Sequence, residues 1–301
     1  TINGYAAIRC VYLTNGAVLS GITLTQGATR TSGDENRERS GGGVWCESNN
    51  ALVTNCTLAG NSASSFGGGA SDGTLNNCTL TGNSASSGGG AYIGTLNNCI
   101  LYYNTANSGP NYDINSTLNY CCTTPVPGSG SGNISAEPQL ASASHLSAGS
   151  PCRGAGSAAY ATGVDIDGEL WLSPPSIGCD EYRAGAVTGP LAVAISASWT
   201  NVGVGFAVDL TGWISGRVAA SAWDFGDGTV LSNRPYASHA WAAVGDYPVV
   251  LRAYNQSHPE GVSATVTIRV AVQPVHYVSA ASANPVPPYS SWATAARTIQ
   301  E

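Results

Sequence analysis

The sequence predicts an all-β chain, a parallel β-helix followed by a β-sandwich, and three observations carry that reading. A cysteine recurs in near-identical phrases at positions 56, 78, 99 and 121, at intervals of 22, 21 and 22 residues. A period in this range marks a solenoid, whose repeats stack on their neighbours. Beyond residue 190 the texture changes to short alternating apolar runs separated by turns. Only 10% of the 301 residues are charged while 43% are hydrophobic, which suits folded domains with real cores rather than a solvated disordered chain.

The net charge of −7 is spread thinly, with no Lys and no basic run, so neither nucleic acid nor an anionic membrane is expected as a partner. No apolar stretch approaches the length of a spanning helix. The chain opens in mid-pattern without Met, as a processed product or one segment of a longer polypeptide would.

Within the repeat, Val53, Leu75, Leu96 and Leu118 lie three residues before the cysteines, and Leu58, Leu80 and Leu101 two after. Cys78 and Leu80 share one face of a strand, whereas Leu75 points the other way unless the chain bends between them. Asn55, Asn77 and Asn98 mark that bend, because Asn tolerates the left-handed conformation a corner needs. Asn61, Asn83 and Asn104 mark a second corner and the Gly runs 67–69 and 88–90 a third. The expected coil therefore has three short strands.

An upstream coil fits the same template, with "AVLSGITLTQG" (17–27) aligned on "ALVTNCTLAGN" (51–61). This places Ile22 where later coils carry cysteine. A stacked core residue accepts that exchange and a metal ligand does not, so Cys56, Cys78, Cys99 and Cys121 read as a buried ladder of reduced thiols. A disulfide between rungs is the weaker alternative, since equivalent side chains point in parallel, and no C-x-x-C pair suggests zinc. Residues 28–40 are then a polar insertion, the most charged stretch of the chain.

The phrases "NNCTLTGNSASSGGGAY" (76–92) and the closing "SPCRGAGSAAYATGVDIDGELWLSPPSIGCDEY" (150–182) resemble the right-handed β-helical domains of bacterial polymorphic outer-membrane and autotransporter-like surface proteins. The resemblance spans about residues 1–186 and implies an irregular C-terminal cap. Cys152 and Cys179, outside the ladder in that cap, are its disulfide candidates, with the pairing of Cys10, Cys46 and Cys122 open. Asp165 and Asp167 are candidate calcium ligands, although a turn is favoured because the later ligands of a full calcium loop are missing. No other cofactor is expected.

"SAWDFGDGTVLSNRPYASHAWAAVGDYPVVLRAYNQ" (221–256) resembles the PKD domain, an immunoglobulin-like sandwich, through Trp223, Asp224, Gly226, Asp227, Gly228 and Tyr247. It covers about 190–273. The "GDG" makes a hairpin turn, and Tyr247, Val249, Leu251 and Ala253 alternate toward one face. Asp224 and Asp227 read as turn carboxylates rather than an acid pair. The tail, 274–301, resembles the start of a further β-helix, a short strand and then a helix capped by Ser291 with Trp292, Ala295, Ala296 and Ile299 on one face.

These features lead to an expected function. It is a secreted or surface-displayed structural protein, bacterial, and a module of a linear array joined head-to-tail, covalently or by docking of one copy on the next. Tyr277, Tyr289, Trp292 and Ile299 are the expected assembly contacts. The alternatives are a glycan-binding adhesin, using Trp45, Tyr92, Tyr102 and Tyr103 on surface polysaccharide, and a polysaccharide lyase or hydrolase. The enzyme reading is the weakest. The coils offer Glu47, Asp72 and Asp113 as acids, and the four histidines fall in separate segments.

Overall fold

The computed structural model describes residues 1–272 and 275–300. Its first part is a stack of parallel coils. One six-stranded sheet runs through Ile2–Asn3, Thr23–Thr25, Thr57–Ala59, Thr79–Thr81, Ile100–Tyr102 and Cys122–Thr123. A second sheet joins Val11–Leu13, Val44–Cys46, Ala70–Ser71 and Ala91–Tyr92, and a third Val18–Ser20, Leu52–Thr54, Thr74–Asn76, Thr95–Asn97 and Thr117–Asn119. Pairing is in register from coil to coil, Leu75 beside Leu96 and Leu80 beside Leu101. The expected three strands are corrected to four. Ser84–Ser87 pairs with Thr105–Ser108, and bridges from Ser62 to Ala28 and to Ser84 extend that pairing. The small polar runs "SASS" and "TANS" carry no apolar signal, so only pairing with the neighbouring coil defines them as strands.

The ladder lies inside. Cys56, Cys78, Cys99 and Cys121 are fully buried, as are the leucines flanking them. Each thiol also meets two backbone carbonyls at the corner, Cys78 Sγ lying 3.2 Å from Asn76 O and 3.5 Å from Val53 O. A small hydrophobe with a weak donor fits there. Burial pushes the Cys78 and Cys121 thiols well above their ordinary value. Ile22, in the first coil, packs partly buried against the same core.

Asn55, Asn77 and Asn98 adopt φ of 53°, 49° and 52°, the left-handed corner expected of them. The second asparagine set behaves differently. The left-handed residues there are the preceding ones, Gly60, Gly82 and Tyr103, at 67°, 62° and 59°. Asn61, Asn83 and Asn104 instead turn inward, where Asn61 Nδ2 donates to Asn83 Oδ1 and Asn83 Nδ2 to Asn104 Oδ1, both at 2.9 Å. The same amides donate to the strand carbonyls Leu24 O and Leu58 O, and the Oδ1 atoms of Asn61, Asn83 and Asn104 accept the buried N–H groups of Gly27, Asn61 and Asn83 in turn.

The cap folds back along the flank of the solenoid. Asn55, Asn77 and Asn98 donate in turn to the carbonyls of Thr162, Tyr160 and Ser157, zipping the cap to the corner row. The expected Cys152–Cys179 disulfide is not formed, and all nine cysteines are free. Cys179 lies against the outer threonine row of the first sheet, its Sγ 3.2 Å from Thr57 Oγ1. Cys152 packs instead in a separate cluster with Cys122, Leu140 and Ile177. Asp165 holds a turn: Oδ1 accepts the N–H groups of Asp167 and Glu169, and Oδ2 that of Glu181.

The second part is a sandwich of a three-stranded sheet (Ala192–Ala197, Val208–Ser215, Tyr236–His239) and a five-stranded one built on Gly245–Asn255 and His258–Ala271. Trp223, Val249, Leu251 and Ile268 are fully buried between the sheets. Trp223 Nε1 donates to Arg234 O at 2.9 Å, which satisfies the indole in the core. Asp224 and Asp227 cap the "GDG" turn, accepting from Gly226 N at 2.9 Å and Thr229 N at 3.0 Å, with Gly226 and Gly228 at φ of 77° and 90°. Tyr247 lies on the ring of Trp241, centroids 5.6 Å apart.

The expected sandwich–tail boundary at 273/274 lies outside the described residues, as does Glu301. In the tail, helix is limited to one 3-10 turn, Trp292–Thr294, and the predicted apolar face does not form. Ala295 and Ala296 are buried, whereas Trp292 and Ile299 are 69% and 89% exposed. The reason is a competing parallel bridge, Val278 to Ala296, in which Ala296 N donates to Tyr277 O at 2.9 Å and draws 295–296 out of helical geometry. Tyr277 packs edge-on to Trp292, and Tyr289 N and O bond to Val286 and Tyr277.

Candidate functional site

The second sheet of the solenoid positions the candidate site. In the strand Val44–Cys46 the residues flanking the central one point inward: Val44 and Cys46 are buried, so Trp45 faces out. Register then aligns Tyr12 with Trp45, Trp45 with Ser71, and Ser71 with Tyr92. Tyr12 and Trp45 lie 4.9 Å apart, and Phe66, from the preceding corner, stacks on Tyr92 at 4.3 Å. With coils about 4.8 Å apart, Tyr12 to Tyr92 spans about 14 Å, two aromatic pairs on either side of the buried Ser71.

The insertion 28–40 folds over one end of this row. Trp45 Nε1 donates to Asn36 O at 2.7 Å, and Arg9 donates to Gly41 O at 3.0 Å and Ser40 O at 2.8 Å. Arg37 lies over the Tyr12 ring, 5.6 Å from its centroid, a cation–π contact. Arg30 pairs with Glu38 at 2.7 Å. Arg9, Tyr12, Arg30, Arg37 and Glu38, together with Ile8, border a groove of about 370 Å³. Four of the eleven arginines (9, 30, 37 and 39) fall within this region beside Asp34, Glu35 and Glu38, so its charges are mixed and nearly balanced. At the other end, burial and the nearby carboxylates of Asp113, Asp72 and Glu35 push the Tyr92 hydroxyl up.

Of the sugar-stacking candidates, the structure brings Trp45 and Tyr92 together and removes Tyr102 and Tyr103. Those two pack edge-on at 5.0 Å, Tyr103 faces Tyr236 of the sandwich, and its hydroxyl bonds Glu137. They belong to the junction between solenoid and sandwich. The coil acids serve local structure: Glu47 accepts from Asn15 N, Asp72 from Ser71 Oγ, and Asp113 from Asn115 N. Tyr12 and Phe66 were not legible as site residues. Tyr12 had a signal, since "CVYL" aligns with "GVWC" once the polar insertion is set aside.

Residues 189–270 match the family model of the PKD domain. Among solved structures, the PKD domain from the human VPS10 domain-containing receptor SorCS2 is similar at 22% identity, covering 32% of this chain and 94% of that one, with a TM-score of 0.23. No curated protein matches the chain. No helix among the described residues is long and apolar enough to cross a membrane. The chain thus couples a parallel β-solenoid to a PKD domain, a module typical of extracellular proteins.

Proposed function

We propose that this chain is an extracellular, bacterial surface module whose solenoid presents a non-catalytic glycan-binding face. The observation that carries this reading is the outward row Tyr12, Trp45 and Tyr92 with Phe66, edged by Arg37. Aromatic faces give sugars apolar stacking area at little entropic cost, and the Arg37 guanidinium at the edge can donate to sugar oxygens. The carboxylates beside the row are held in local turns, which supports binding over bond cleavage. Calorimetry of the full chain against neutral and uronate-containing polysaccharides tests it. Trp45→Ala and Tyr12→Ala are expected to weaken binding about tenfold each, in line with removal of an interface anchor. Undiminished binding by both variants, or release of reducing ends or unsaturated products, overturns the reading.

A second reading, head-to-tail assembly, is supported by the parallel bridge between Val278 and Ala296, a rung of the kind the solenoid stacks. Tyr277, Tyr289, Trp292 and Ile299 would face the next unit, as a covalent module or a second copy. Light scattering of the full chain separates these. Mass that grows with concentration supports docking between copies, and a monomer at every concentration overturns it.

A further inference from the structure

The cap carries a cluster that the glycan-binding face does not use. Nε2 of His145 lies 3.2 Å from Oδ2 and 3.4 Å from Oδ1 of Asp167. Ligand atoms of His145, Asp167 and Asp180 all fall within 4.8 Å of one another. We propose that His145, Asp167 and Asp180 form a binding site for one divalent cation of the zinc class, with water completing the coordination.

Several independent features support the site. Ligand bonds of about 2.0–2.2 Å in a tetrahedral sphere place neighbouring ligand atoms about 3.3–3.6 Å apart, close to the His145–Asp167 separation. The other imidazole nitrogen, Nδ1, is held by the hydroxyls of Ser142 at 2.9 Å and Ser144 at 3.0 Å. Such a partner is what fixes the ring of a ligating histidine with Nε2 toward the metal. Asp180 is 5% exposed and accepts one hydrogen bond, from Leu146 N to Oδ2 at 2.8 Å. Its Oδ1 accepts none from the described residues, although the side chain lines the cavity. A largely buried carboxylate with one oxygen free of donors is a fitting cation ligand.

Charge and space agree. Four carboxylates line the cavity (Asp167, Glu169, Asp180 and Glu181) against two guanidinium groups, Arg183 and Arg217, so acidic groups outnumber basic ones around it. The cavity holds about 10 Å³, room for a single ion or water. An imidazole with two carboxylates suits zinc and its transition-metal neighbours, whereas calcium prefers oxygen ligands throughout. Arg217, from the sandwich, reaches Asp167 Oδ2 at 3.4 Å and Glu169 Oε1 at 2.9 Å, so the site abuts the junction of the two parts.

The test uses the full chain stripped with a chelator and titrated with zinc by calorimetry, and with cobalt by absorption spectroscopy. The expected result is one equivalent bound, a cobalt spectrum free of thiolate charge-transfer bands, and at least tenfold weaker binding in Asp180→Asn. His145→Gln serves as the second variant, with circular dichroism confirming that each is folded. Absence of stoichiometric binding to the wild-type chain overturns the proposal, because it needs no variant to fold. Thiolate bands, or unchanged affinity in both folded variants, overturn it in favour of a cysteine site.

Discussion

Asn83→Ala is the sharpest probe of how the solenoid is held together. Asn83 is fully buried and makes four hydrogen bonds through its side chain. Nδ2 donates to Leu58 O at 2.8 Å and Asn104 Oδ1 at 2.9 Å, and Oδ1 accepts from Asn61 N at 3.0 Å and Asn61 Nδ2 at 2.9 Å. Alanine strands the buried N–H of Asn61, whereas Leu58 C=O keeps its ladder bond within the first sheet. A buried group so stranded costs about 1–3 kcal/mol, and the lost amide bonds to Leu58 and Asn104 add about 1 kcal/mol, so the expected loss is about 2–4 kcal/mol, a large share of a domain's stability. Asn76→Ala is the contrast, since Asn76 is half-buried and accepts a single side-chain bond from Asn97 Nδ2 at 2.9 Å. Its expected cost is about 1 kcal/mol. Urea unfolding followed by circular dichroism measures both. Equal losses, or less than about 1 kcal/mol for Asn83→Ala, refute the view that the inner row acts by pairing buried backbone.

The thiols, the sandwich turn and the junction each allow a further check. Burial pushes Cys46 and Cys179 up to about 12, and Cys10 is the one cysteine that is not fully buried, so thiol reagents are expected to label Cys10 alone in the native chain; fast labelling of the ladder contradicts the fold. The Thr229 hydroxyl, and then His239, hold the Asp227 carboxyl at about 2, below its ordinary 3.8. Because the folded value is depressed, this stabilisation is present above about pH 4 and is lost as pH falls toward 2. Melting temperatures of Asp227→Asn are expected to fall less steeply over that window, and parallel acid slopes would exclude the effect. Gly60 and Gly82 share a left-handed corner, but a Cβ at Gly82 would lie 2.4 Å from Tyr236 Oη, whereas at Gly60 its nearest neighbour is 3.7 Å away. Gly60→Ala is expected to cost about 1–2 kcal/mol from backbone strain, and Gly82→Ala more; equal costs would mean that the sandwich does not dock there.

The repeat was legible because its information is local and periodic. Cys78 sits above Cys56 because 22 residues make one turn, and parity alone turns Leu75, Cys78 and Leu80 toward one core once Asn77 bends the chain. The PKD segment was legible for a related reason, since its turn, its tryptophan and its alternating strand lie within a short stretch. Other features depended on where irregular chain comes to rest, which no period reports. Asn83 reads as a corner either way, and only the closed coil shows its amide turned inward. Cys179 was paired with Cys152 by its place in the cap, but the cap folds back on the solenoid and sets Cys179 on Thr57, 122 residues away. Ala295 and Ala296 have helical spacing, yet a strand bridge to Val278 outcompetes a helix too short to sustain itself. His145, Asp167 and Asp180 stand in separate phrases of the sequence, and long-range packing alone gathers them around one cavity.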